Sequence, residues 1–132
     1  MPQKQRRTCI DIPVDIYRCD VYFVAGPYED LVKKIKDLDL PQKITPTRSE
    51  VTRYQALTID CDNGDVIIWF PCETYPGTIV HECTHAANMI LEYHDVVDAG
   101  NHEALAYLTE FLFDNIMEGL VPPDTKKAAP KK

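Results

Sequence analysis

Apolar and polar positions along the chain change period three times, and the changes mark out its elements. Residues 20–25 (D-V-Y-F-V-A) read as a strand. Gly26-Pro27 then opens an amphipathic helix over about residues 28–38. A linker, L-P-Q-K-I-T-P-T-R-S-E, is broken twice by proline. Two β-rich runs follow, at about residues 53–60 and 65–70, joined by C-D-N-G, which is a hairpin signal. From residue 78 to 93 the chain reads T-I-V-H-E-C-T-H-A-A-N-M-I-L-E-Y, with no glycine or proline to interrupt a helix and Pro76-Gly77 as punctuation before it. A second helical pattern starts after the breaker Gly100, with Asn101 at the N-cap position. The order strand, helix, hairpin, helix, helix predicts an α+β fold: a small, mostly antiparallel sheet packed against the two C-terminal helices. No internal repeat is present, and residues 8–121 are expected to form one domain.

Composition keeps that picture and charge refines it. The chain is 45% hydrophobic and 27% charged, ordinary values for a globular domain able to bury its own core. No apolar run approaches the roughly 20 residues that a membrane span needs, and no apolar signal segment follows the basic N-terminus. Five cysteines (Cys9, Cys19, Cys61, Cys72, Cys83) are scattered without C-x-x-C spacing, which fits a reduced, cytoplasmic setting better than a disulfide framework. Half of the 14 basic residues lie in two tails, 1–7 and 125–132, leaving residues 8–124 with 7 bases against 21 acids. Such an acidic body argues against a nucleic-acid surface and favours a basic protein or peptide partner.

The candidate chemistry sits in residues 81–85, His-Glu-Cys-Thr-His, the pattern H-E-x-x-H. Residues four apart on a helix share a face, so His81 and His85 can present two imidazole nitrogens to one metal ion. Glu82 is offset from them by about 100°, beside the metal rather than on it, where a carboxylate can act as general base toward a water. Two of the chain's 4 histidines fall in this pentapeptide. A catalytic zinc takes three protein ligands and keeps a position open. Glu103, in the first turn of the following helix, is the favoured third ligand. Asp95, Asp98 and His102 are the alternatives.

Residues 64–118, through H-E-C-T-H and E-A-L-A-Y-L-T-E-F-L, resemble the gluzincin zinc metallopeptidases, in particular small peptidase-like proteins of phages and mobile elements. The resemblance implies a minimal zincin-like fold with zinc held by His81, His85 and Glu103. It also implies Glu82 as the base in hydrolysis of a peptide or amide bond. Asn88 and Leu91 stand where a metzincin carries its glycine-and-histidine continuation. Large gluzincins often have an aspartate four residues after the ligand glutamate; here it is Tyr107. Its phenol is a candidate catalytic group, orienting a histidine or polarising a carbonyl. Tyr75, His94 and His102 are weaker candidates for that second role. The strand at 65–70 is expected either to line the cleft, where a peptide can pair with it, or to lie inside the sheet. Trp69 is expected in the core. The alternative function is a non-catalytic, zinc-stabilised interaction protein such as a phage accessory factor, a role suggested by the small body.

Overall fold

The computed structural model describes residues 7–51, 56–71, 74–96 and 102–120. It is an α+β structure. One four-stranded mixed sheet has the order β1-β2-β4-β3, formed by β1 (Thr8–Val14), β2 (Cys19–Ala25), β3 (Leu57–Asp60) and β4 (Val66–Phe70). β1 pairs antiparallel with β2, β2 parallel with β4, and β4 antiparallel with β3. The parallel pair needs a crossover, which α1 (Tyr28–Asp37) supplies. A four-residue helix, α2 (Arg48–Val51), lies between the two prolines' segment and β3. Two long helices complete the chain, α3 (Pro76–Tyr93) and α4 (His102–Leu120).

Alternation along the strands sends side chains to two cores, one on each face of the sheet. Val21, Phe23, Val66, Ile68 and Phe70 meet α3 and α4 on one face. Val24, Ile67, Trp69 and Ile59 meet Leu31 and Ile35 of α1 on the other. β4 is buried at every position, as an interior strand covered on both faces must be. Of the two expectations for residues 65–70, the interior one therefore holds, and β3 is the edge strand beside β4. Trp69 is 1% exposed and donates its indole N–H to the Gly26 carbonyl at 2.9 Å, which makes it a core residue.

β1 is an element that the sequence reading does not supply. Pro13 obscures its alternation, yet Pro13 is exposed on an edge strand, where its missing N–H costs the sheet little. The hairpin is as expected, with β3 and β4 closed by the Cys61 N–H to the Asp65 carbonyl at 3.1 Å. Gly64 takes φ 96° at this turn, and a Cβ there would stand 2.9 Å from the Tyr93 ring. Only glycine suits both the backbone and the close approach of α3.

α3 begins two residues before the expected start, with Pro76 in its first turn, where a missing N–H has no helical partner to lose. It ends at Tyr93; two residues on, Asp95 takes the left-handed conformation (φ 56°), and the Val96 N–H returns to the Leu91 carbonyl at 2.9 Å. Ile79, Cys83, Ala86, Ala87 and Ile90 face the sheet and are buried. Small residues at 83, 86 and 87 let the helix axis approach closely, while the fully buried Ile90 contributes about 1.5–3 kcal/mol of apolar transfer.

Candidate metal centre

α3 decides the site because one helix carries three chemical faces. With Ile79, Cys83 and Ile90 turned to the sheet, His81 and His85 point away from it and both are exposed. Their Nε2 atoms lie 3.2 Å apart, with the rings nearly perpendicular (84°) and centroids 4.7 Å apart. Two nitrogens each about 2.0–2.1 Å from a tetrahedral zinc must be about 3.3–3.4 Å apart. The observed separation matches that spacing, and it also matches a ring N–H···N hydrogen bond. The two imidazoles thus converge on one point on the solvent side of α3.

Glu82, a quarter-turn round the helix, points elsewhere. It is 7% exposed, the only buried carboxylate among the described residues. Thr58 of β3 donates its hydroxyl to Glu82 Oε1 at 2.5 Å, with the Glu82 backbone carbonyl 3.3 Å away. The edge strand is therefore tied to the candidate base. Cys83, next in sequence, is fully buried, and burial, with the nearby Glu82 charge added, pushes its thiol up to about 12. Burial likewise holds Cys19 at about 11 and Cys61 at about 12, with neighbouring aspartates adding to it. These three thiols stay protonated at neutral pH. The four described cysteines are free.

Glu103 lies in the first turn of α4 and is exposed. Among the described residues, no three His, Cys, Asp or Glu side chains are gathered so as to hold a metal ion. The histidine pair is brought together and Glu103 is not brought onto it. A groove between α3 and α4, of about 520 Å³, is lined by Val80, Thr84, Leu105, Thr109, Glu110 and Phe113, with Ala106. Glu110 is thus the α4 carboxylate that shares a groove with the residues immediately preceding His81 and His85. It lies two turns, about 10 Å of helix rise, beyond Glu103.

Tyr107 is 66% exposed on α4. Tyr75 is the N-cap residue of α3 and is also exposed. His94 caps the end of α3, its Nδ1 2.9 Å from the Ile90 carbonyl and its ring against Tyr17 and Tyr93. Asp95 is the left-handed residue just past the end of the same helix. Asp98 and the basic tails, apart from Arg7, fall outside the described residues. Thr58 is the residue that sequence reasoning did not find. Its signal was present, because Thr58 alternates with the apolar Leu57 and Ile59, but which strand face meets α3 is not a local property.

The segment that carries the candidate site holds charged side chains of one sign. Residues 54–125 contain 13 aspartates and glutamates and not one lysine or arginine. Both long helices and the hairpin therefore present a field that attracts cations. No helix among the described residues is long and apolar enough to cross a membrane. Comparison with known proteins returns no match: no family model fits the sequence, and no curated protein or solved structure is similar to it.

Proposed function

We propose that the protein is a zinc-dependent hydrolase of the metallopeptidase type, acting on a peptide or amide bond in a basic protein or peptide. The observation that carries the reading is the pair of Nε2 atoms, exposed and 3.2 Å apart, with the Glu82 carboxylate one residue along the same helix. His81 and His85 would hold the metal, with Glu103 as third ligand and Glu110 its rival. Tyr107 stands as the candidate for polarising a carbonyl. Zinc in such a site supplies Lewis acidity, which makes water more acidic and a carbonyl more electrophilic. Glu82 takes a proton from the attacking water as its oxygen bonds to the carbonyl carbon. It then returns that proton to the nitrogen as the C–N bond breaks. The uniformly acidic surroundings favour a substrate with lysine or arginine near the cleaved bond.

A second reading keeps the zinc and drops the turnover. It is favoured by one observation, that the Glu82 carboxylate is buried and already bonded to Thr58. One experiment separates the two: zinc-loaded protein is incubated with fluorogenic casein, and Glu82→Gln is run beside it. The hydrolase reading expects zinc-dependent cleavage in the wild type and none in Glu82→Gln, with zinc still bound stoichiometrically. Stoichiometric zinc in both proteins without cleavage across casein and a lysine-rich peptide library leaves the interaction protein.

A further inference from the structure

We infer that Thr58, on the edge strand β3, is a positioning residue for Glu82. The inference rests on the reading of Glu82 as general base. Glu82 cannot be aimed by α3 alone. A glutamate side chain has three rotatable bonds, and a helix fixes only the direction in which it leaves the backbone. A general base must sit within hydrogen-bond reach of one water, so an unheld side chain loses most of its productive geometry.

The structure supplies the missing constraint from across the fold. Thr58 Oγ1 donates to Glu82 Oε1 at 2.5 Å, the spacing of a charge-assisted O–H···O bond. Threonine is β-branched and stiff at χ1, so a threonine on a strand directs its hydroxyl more narrowly than serine does. The strand is itself anchored, since Leu57, Ile59 and Asp60 pair with Trp69, Ile67 and Val66 of the interior strand β4. A carboxylate has two oxygens and about four lone-pair sites, so the bond from Thr58 to Oε1 leaves lone pairs on the carboxylate to accept a proton. The burial of Glu82, which looks at first like a reason against catalysis, becomes the means of holding the base.

The test uses the intact protein and a probe that needs no substrate. Acetohydroxamic acid binds zinc as its anion, giving its proton to an adjacent base, so its affinity reports whether that base is in place. Zinc affinity and acetohydroxamate affinity are measured by calorimetry for the wild type, Thr58→Val, Thr58→Ser, Glu82→Gln and the double variant Thr58→Val/Glu82→Gln. Thr58→Val is expected to leave zinc affinity unchanged and to weaken acetohydroxamate about tenfold, the loss of one hydrogen bond to a charged group. Thr58→Ser should recover most of that loss. In the Glu82→Gln background, Thr58→Val should cost nothing further, because the two residues act as one unit. A merely structural threonine would weaken both ligands together, or weaken acetohydroxamate equally in both backgrounds, and either result overturns the proposal. Wild-type protein that binds no zinc would instead overturn the metal-site reading, and this inference with it.

Discussion

Zinc should stabilise this protein, and the size of the effect follows from the site. A ligand that binds only the folded state adds about 2.7 kcal/mol when its free concentration is about 100 times Kd. Unfolding entropy near 2.1 cal/mol/K per residue, over about 100 residues, amounts to about 0.2 kcal/mol/K. Zinc at that excess should therefore raise Tm by about 13 °C. His81 and His85 are both exposed, so alanine at either should shift the metal-free Tm by no more than about 2 °C. Each variant should nonetheless lose nearly all of the zinc-induced rise, because one imidazole cannot do the work of two at 3.2 Å. Differential scanning calorimetry with a zinc buffer, alongside metal analysis of the dialysed protein, measures both quantities. A wild-type Tm indifferent to zinc would refute the reasoning. So would a rise that survives in both alanine variants, since it would place the metal elsewhere.

Three further predictions follow from particular contacts. Glu103→Ala and Glu110→Ala should differ in zinc affinity by at least about tenfold, the scale of losing one inner ligand or its partner; calorimetric Kd values identify which carboxylate serves, and equal, small effects would exclude both. Gly64→Ala forces a side chain into φ 96° and against Tyr93, and should lower stability by at least about 1 kcal/mol in urea unfolding. Asp20 is held above its ordinary value by burial and by the charges of Asp65 and Asp11. Its folded form thus binds its proton more tightly than its unfolded form, so stability falls as pH rises through the carboxylate range. Asp20→Asn should accordingly be the more stable protein at pH 7, with the advantage disappearing at low pH; a destabilised Asp20→Asn at pH 7 would contradict that assignment.

Local sequence was enough to place the parts of the site that depend on one helix. His81, Glu82 and His85 are separated by helical spacing alone, and nothing distant alters that geometry. The same holds for the hairpin, because Asn63-Gly64 dictates a turn whatever surrounds it, and for α1, where Gly26-Pro27 begins the helix.

What the sequence left open depended on long-range placement. Whether β4 borders a cleft or lies inside the sheet was settled by its parallel pairing with β2, which joins segments more than 40 residues apart. β1 was hidden by Pro13, whose cost vanishes only on an edge, and edges are defined by tertiary order. Thr58 meets Glu82 because the β3 face opposite Leu57 and Ile59 packs toward α3. The lateral packing of α3 on α4 brings Glu110 into the groove beside Val80 and Thr84, leaving Glu103 outside the groove lining. The sequence by itself determined two imidazoles and a carboxylate on one helix, since 3.6 residues per turn is a property of the backbone. Which groups from other elements reach them was decided by the sheet order and the helix packing, because local periodicity says which face of an element is apolar and not which other element covers it.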